Sequence, residues 1–111
     1  MIETAKSKNI KIIFASSINV YGENCRYPSR ETDEPKPMNS YGMVKFLTEQ
    51  LYKKYSELYN IDVTILRFSN IYGKNKKSGI IRKIIKSRSN EPVNFTYNGN
   101  QQRDFLFIMT L

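Results

Sequence analysis

Residues 11–17 read KIIFASS, in which a short, continuous apolar run at 11–15 is followed by two serines. A run of this kind is typical of a buried strand in a parallel sheet. A second β-rich run, IDVTIL, covers residues 61–66, and a helical pattern lies between the two. The order strand, loop, helix, strand predicts a βαβ unit with a right-handed crossover.

The helical pattern extends from about Ser40 to Leu58, with Ser40 as the expected N-cap and Asn60 as the expected stop. Its apolar side chains recur every three or four residues, which predicts the face that packs on the sheet. These side chains are Val44, Leu47, Leu51, Tyr55 and Leu58.

The rest of the chain predicts further elements on both sides of this unit. They are a helix tail at 2–8, a Pro-rich loop at 22–39, a basic helix at 78–89, a strand at 93–97, a tight turn at 98–99 and a last strand at 105–108. The fold class is therefore α/β, part of a doubly wound parallel sheet that has too few strands to be complete.

Composition indicates a small globular chain rather than a disordered or membrane-spanning one. The chain has 111 residues, of which 40% are hydrophobic and 25% charged. No apolar run approaches the roughly 20 residues of a transmembrane helix. The N-terminus has no signal-like apolar segment, and the single cysteine, Cys25, has no internal disulfide partner. These features predict a reduced, cytoplasmic setting.

The chain is basic, with a formal net charge of +8. The largest cluster comprises Lys74, Lys76, Lys77, Arg82, Lys83, Lys86 and Arg88. A solvated helix face explains such a cluster, and so does a surface that faces phosphate. No nucleic-acid-binding motif accompanies it, so we expect neither a nucleic-acid nor a membrane partner.

Tyr41 and Lys45 are four residues apart on the predicted helix and therefore share a face. An ammonium near a phenol favours the phenolate, which suits the tyrosine to acid–base work near neutral pH. Ser16 and Ser17 end the first strand, and ligands of open α/β sheets bind beyond such strand ends. The spacing predicts a proton-transfer site that contains Ser17, Tyr41 and Lys45 and needs no metal.

Four ordered stretches carry a family resemblance. They read FASSINVYG at 14–22, PMNSYGMVK at 37–45, LRFSNIYG at 66–73 and NGNQQRDF at 98–105. Together they resemble the extended short-chain dehydrogenases that act as NAD-dependent sugar-nucleotide epimerases and dehydratases. The resemblance implies a Rossmann-like fold, with a catalytic part at 1–67 and the start of a substrate-binding part at 68–111.

The resemblance also implies residue roles and partners. Tyr41 would exchange the proton of the sugar 4-hydroxyl, Ser17 would hold that hydroxyl, and Lys45 would bind the ribose of NAD or NADP. Tyr41 and Ser16 are also expected to contact the cofactor, and Ser16 is the second choice, after Ser17, for holding the hydroxyl. Asn19, Asn70 and Arg103 are expected on the nucleotide-sugar substrate, whereas Arg67 is expected to serve the structure. Members of the family are commonly homodimers through the helix that carries the tyrosine.

Two residues bear on the type of reaction. The 4,6-dehydratases of this family have Asp-Glu after the serine or threonine, and the related decarboxylases usually have an acidic residue there. This chain has Ile18 and Asn19. Neither side chain acts as an acid or base, so the resemblance favours C4 epimerisation over elimination of water.

The family's glycine-rich phosphate loop is the feature that we do not find. The five glycines are Gly22, Gly42, Gly73, Gly79 and Gly99, and no two are three residues apart. We therefore expect a fragment that binds NAD weakly or not at all, unless a separate N-terminal half complements it. We also expect exposed apolar strand faces around Ile12, Phe14 and Ile65.

Two alternatives stay open at the level of sequence. One is a catalytically inert gene fragment that has the family's residues without cofactor binding. The other is a basic module that binds nucleic acid, for which steep salt dependence would be the sign.

Overall fold

A computed structural model describes residues 11–23, 27–73, 79–87 and 102–108. It divides into two compact units, Met1–Phe68 and Ser69–Leu111. The expected helix tail at 2–8, the strand at 93–97 and the turn at 98–99 lie outside the described residues. Among the described residues, no helix is long and apolar enough to cross a membrane.

The first unit is the predicted βαβ arrangement. Strand β1 (Ile12–Ser17) and strand β2 (Val63–Phe68) are parallel, with Ile12 opposite Val63 and Ser17 opposite Phe68. A short 3-10 helix (Ile18–Val20) follows β1, and helix α1 (Ser40–Tyr59) connects it to β2. The α/β class with parallel strands is confirmed, although each strand ends two residues later than its apolar run predicts.

Helix α1 begins and ends at asparagine caps. The side chain of Asn39, rather than the expected Ser40, accepts a hydrogen bond from the backbone N–H of Gly42 at 2.7 Å. Ser40 is instead the first helical residue. Asn60 ends the helix in the left-handed conformation (φ 52°), which confirms the predicted stop and suits an asparagine.

The predicted inner face of α1 is wrong. Val44, Leu47, Leu51 and Leu58 are each more than half exposed, while the buried residues of the helix are Gly42, Glu49 and Tyr52. The spacing of the apolar residues identifies one face of the helix, but it does not show which element packs against that face. Here the sheet of the first unit packs on the other side of the helix, where one of the buried residues is charged.

The core of the first unit is small and lies between α1 and one face of the sheet. Ile12, Tyr52 and Ile61 are buried together, with Phe14 and Val63 packed against them. The rings of Phe14 and Tyr52 lie 5.0 Å apart between centroids. Because α1 covers this face, the expected exposure of Ile12, Phe14 and Ile65 is also wrong. The opposite face is the open one, with Ile13 63% and Leu66 39% exposed.

The described part of the second unit contains two short strands and a short helix. Strand β3 (Asn70–Tyr72) is parallel to strand β4 (Phe105–Phe107), with Asn70 opposite Phe105. Helix α2 (Ile80–Lys86) is shorter than the predicted 78–89. Strand β3 was not predicted, because three residues are too few for a period-two pattern to be recognised.

Candidate active site

The end of β1 and the turn after it carry the first candidate residues. Ser17 is buried, and its hydroxyl oxygen accepts a hydrogen bond from the backbone N–H of Asn19 at 3.3 Å. Ser17 thereby caps the 3-10 helix that begins at Ile18. The side chain of Asn19 is exposed. The serine therefore has a fixed place at the carboxyl end of the strand.

Helix α1 starts in direct backbone contact with this turn. A Cβ atom placed on Gly42 would lie 2.4 Å from the carbonyl oxygen of Asn19. Only glycine permits this approach, because a side chain at 42 would push the helix away. The contact keeps the neighbouring Tyr41, which is 53% exposed, beside the segment that carries Ser17.

Lys45 links the helix to the strand. Its ammonium group donates a hydrogen bond to the carbonyl oxygen of Ala15 at 2.8 Å. The same nitrogen lies 5.0 Å from the ring centroid of Phe14 and 5.7 Å from that of Tyr41. The structure thus brings Tyr41 and Lys45 together at the end of β1, where Ser17 also lies.

A buried polar group lies against the same strand end; we call Ser16, Tyr21, Glu49 and Arg67 the inner polar cluster. The side chain of Glu49 is 0% exposed and that of Arg67 is 14% exposed. Arg67 donates to Glu49 through Nε at 3.0 Å and through Nη2 at 2.6 Å. The hydroxyl of Ser16 also donates to Glu49, and the Arg67 guanidinium lies 4.6 Å from the ring centroid of Tyr21.

These contacts keep both partners of the ion pair charged. Burial alone would raise the pKa of the Glu49 carboxyl, but hydrogen bonds from Arg67 and Ser16 outweigh it and lower that pKa. Hydrogen bonding to Glu49 raises the pKa of Arg67 against the effect of burial, and the contact with Tyr21 adds to the rise. Arg67 thus serves the structure, as the sequence predicts.

Sequence reasoning missed Glu49, although a signal was present. Arg67 lies two residues after Ile65 and four after Val63, so it shares their face of β2. A charge on the inner face of a strand requires a partner. Glu49 is four residues after Lys45, on the same side of α1, and is therefore an available carboxylate.

Asn70 and Arg103, the expected nucleotide ligands, lie in the second unit. The Asn70 side chain donates to the carbonyl oxygen of Asp104 at 3.2 Å, directly beside Arg103. Arg103 donates to the carbonyl oxygen of Gln102 at 3.0 Å. Both side chains are exposed, and the structure places them near one another at the start of the β3–β4 pair.

The second unit also contains a cavity of about 380 Å³. Asn70, Tyr72, Phe105 and Phe107 line it together with Arg82 of helix α2. The Nε atom of Arg82 is buried and has no hydrogen-bond partner among the described residues. The sequence had placed Arg82 in a general basic cluster. Most of that cluster is outside the described residues, and only the structure distinguishes Arg82.

The sequence model of the NAD-dependent epimerase/dehydratase family matches residues 1–109 of this chain. The chain belongs to this family. The match covers the Ser17, Tyr41 and Lys45 positions as well as Asn70 and Arg103. The membership predicted from the four stretches is therefore confirmed, and so is the Rossmann-like fold.

Relatives of the family are similar to this chain over most of its length. A provisionally named UDP-glucose 4-epimerase of Methanocaldococcus jannaschii is 39% identical in an alignment of 107 positions that covers 88% of this chain. The solved UDP-N-acetylglucosamine 4-epimerase of Methanobrevibacter ruminantium superposes with a TM-score of 0.81 at 34% identity over 95% of this chain. A UDP-glucuronic acid 4-epimerase of Bacillus cereus, solved with UDP-glucuronic acid and NAD, gives 0.75 at 28% identity over 96%.

The chain spans about a third of the length of these relatives. The covered shares are 34% of the Methanocaldococcus protein, 36% of the Methanobrevibacter chain and 34% of the Bacillus chain. Family membership is therefore established for the matched residues, while activity, substrate and partners are matters for proposal.

Proposed function

We propose that this chain carries the proton-transfer residues of an NAD-dependent sugar-nucleotide 4-epimerase. The observation that supports the proposal is the position of Lys45. Its ammonium group is bound to Ala15 in β1 and lies 5.7 Å from the Tyr41 ring, beside the strand end that carries Ser17. The residues with the expected chemistry are thus gathered by backbone contacts rather than by chance proximity.

Each residue of this group has a distinct part in the proposed reaction. The Tyr41 phenol takes the proton from the sugar 4-hydroxyl and later returns it. The Ser17 hydroxyl holds the same sugar oxygen. The cationic Lys45 attracts the negative charge that the sugar and phenol oxygens carry during the transfer. When bound, NAD supplies the acceptor for the hydride at C4 of the sugar.

Lys45 and Ser16 carry groups that suit a nicotinamide ribose. An ammonium group has three N–H donors, and Ala15 takes one of those of Lys45, so two are left for ribose hydroxyls. The Ser16 hydroxyl donates its proton to Glu49, so it offers a cofactor only its oxygen lone pairs. We accordingly assign Lys45 the larger part in holding the cofactor, and Ser16 a smaller one.

The second unit suits the nucleotide part of the substrate. We propose that Asn70 and Arg103 bind the diphosphate, since a guanidinium matches a pair of phosphate oxygens. The cavity beside Asn70 offers aromatic walls and the buried Nε of Arg82, which has no partner within the described part of the chain; both suit a nucleoside. Asn19 is assigned to the sugar, because its exposed side chain lies two residues after Ser17.

The same residues favour epimerisation over dehydration. Elimination of water needs an acid and a base next to Ser17, and the chain has Ile18 and Asn19 there.

The proposed setting and assembly follow from other residues. The single cysteine supports a reduced, cytoplasmic setting. The exposed stripe of Val44, Leu47, Leu51 and Leu58 supports a homodimer through α1, the arrangement expected from the family.

The test places this chain in the frame of a whole enzyme. Residues 1–109 replace the matching segment of the Methanobrevibacter UDP-N-acetylglucosamine 4-epimerase, whose structure defines the two junctions. Conversion of UDP-sugars to their C4 epimers in the presence of NAD is then followed by chromatography. We expect turnover that Lys45→Ala removes and that Lys54→Ala, a change at a surface lysine of the same helix, retains. A folded chimera that binds NAD but converts no UDP-sugar would favour the inert alternative.

A further inference from the structure

The inner polar cluster joins all three elements that meet at the candidate active site. Ser16 belongs to β1, Glu49 to α1 and Arg67 to β2, while Tyr21 follows the 3-10 helix. Glu49 receives hydrogen bonds from Ser16 and from two nitrogens of Arg67. One carboxylate thus fixes two strands against the helix through directional contacts.

Stability alone is a weak reason for such a pair. Removing two charges from water costs about as much as their attraction returns, and apolar side chains of similar size are often as stabilising. Apolar side chains, however, make no directional contacts. The fork of Arg67 and the two oxygens of Glu49 permit one relative position of β2 and α1, and the Ser16 hydroxyl adds β1 to it.

The cluster is one of three contacts that fasten α1 to the segment around Ser17. Glu49 binds Ser16, Lys45 binds the carbonyl oxygen of Ala15, and Gly42 lies against the carbonyl oxygen of Asn19. The helix residues are three or four positions apart, so the contacts occur at successive turns along one side of α1. They lie on both sides of Ser17 in the chain.

We propose that Glu49 is a positioning residue for the active site. Held by Arg67, it fixes the end of β1 against α1 and thereby sets the place of Ser17 relative to Tyr41 and Lys45. Glu49 itself is fully buried, so we expect it to act through the residues that it holds. The catalytic meaning of this inference rests on the proposed function, but the structural effect can be measured without NAD or a sugar.

The experiment is native-state hydrogen exchange by NMR on the full 111-residue chain. The key variant is the double change Glu49→Met/Arg67→Met, which removes both charges together and keeps an apolar filling. The amides to follow are Asn19, bound to the Ser17 hydroxyl, and Tyr21, bound to the carbonyl oxygen of Ile18. Ile12 is the reference, because its amide binds Asp62 at the far end of β1. Glu57→Gln, at a surface pair of the same helix, is the matched control.

A positioning role predicts a local effect. The free energy of unfolding is retained in the double variant, yet the Asn19 and Tyr21 amides exchange faster by about tenfold or more while Ile12 does not. The Asn19 amide resonance also shifts, and the Glu57→Gln chain matches the unmodified one. Ser16→Ala, which removes a single hydrogen bond, gives a smaller change at the same two amides and serves if the double variant fails to fold.

A merely structural role predicts a different pattern and would overturn the proposal. Exchange would then rise equally at Ile12, Asn19 and Tyr21, in step with a fall in global stability, or would not change at any of them. The proposed function is tested by a different measurement, the turnover of the chimera, so its failure can be distinguished from failure of the positioning role. An inactive chimera together with the local exchange pattern would count against the function and leave the positioning of Ser17 supported.

Discussion

Gly42 has no side chain, and this allows helix α1 to approach the turn that follows Ser17. It lies one residue after Tyr41, and its α-carbon packs on the carbonyl oxygen of Asn19. The motif at residues 37–45 contains this glycine, but the sequence could not say what approached it. The structure supplies the reason, since the first turn of the helix and the turn after Ser17 meet there without an intervening side chain.

Gly42→Ala should therefore destabilise the chain. In an ordinary helix the change to alanine is favourable by about 1 kcal/mol. Here the added methyl group would lie 2.4 Å from a backbone oxygen, so we expect a loss of about 1–3 kcal/mol in the free energy of unfolding. Urea denaturation measures it, with Met43→Ala as the exposed neighbour for comparison. Stabilisation by Gly42→Ala would contradict the close contact.

Glu49 should make stability depend on pH in a definite direction. Its pKa is lower in the folded chain than the ordinary value of 4.5. Its contribution is therefore complete above that value and is lost as the pH falls through the folded pKa. The charged groups that lower the pKa are Arg67 on β2 and Lys53 on α1, and the hydroxyl of Ser16 on β1 adds to them.

We expect Glu49→Gln to cost about 3 kcal/mol near neutral pH, because it leaves Arg67 buried without its counter-charge. The gap between this variant and the unmodified chain should narrow as the pH falls below 4.5. Urea denaturation from neutral to acidic pH measures the gap, and Glu57→Gln should show none. A gap that stays constant across this range would mean that folding does not change the pKa of Glu49, which would contradict the buried ion pair.

At the scale of elements, α1 has two distinct sides. One side holds Gly42, Glu49 and Tyr52 against the strands of its own unit, and the other exposes a stripe of Val44, Leu47, Leu51 and Leu58. Existence, length and caps of the helix could be predicted almost to the residue, because they depend on local sequence. The buried side could not, because it depends on an ion pair between residues 18 positions apart.

The exposed stripe should drive self-association. Leu47 and Leu51 are 58% and 51% exposed, and each apolar side chain removed from water favours association. We expect Leu47→Lys/Leu51→Lys to convert a dimer into a monomer in sedimentation equilibrium. Met38→Lys, at an exposed methionine outside the helix, should leave the dimer intact. A monomeric unmodified chain would contradict the proposed homodimer.

At the scale of the whole molecule, the chain matches about a third of each relative and forms two units. The first unit contains the proposed catalytic residues Ser17, Tyr41 and Lys45, and the second contains Asn70, Arg82 and Arg103. Ordered motifs made the family and the fold class predictable. The cavity at Arg82 and the inner polar cluster could not be predicted. Each is formed by residues that are distant in sequence and do not belong to one motif.

The isolated chain should bind NAD only weakly. Lys45 offers donors for the nicotinamide ribose, but the 111 residues contain no glycine-rich run of the kind that cradles a pyrophosphate. Calorimetric titration of the purified chain should give no binding in the micromolar range. Micromolar affinity that weakens in Lys45→Ala would show instead that the residues present suffice for a cofactor site.

The proposed role of Tyr41 is to move the proton of the sugar hydroxyl, and the rate of C4 epimerisation by the chimera measures that role. Tyr41→Phe removes one oxygen from an exposed ring and should lower this rate by about 100-fold or more. Tyr55→Phe, on the same helix, should leave it unchanged. If the Tyr41→Phe chimera turns over at the rate of the unmodified one, Tyr41 is not the acid–base group and the proposed mechanism is wrong.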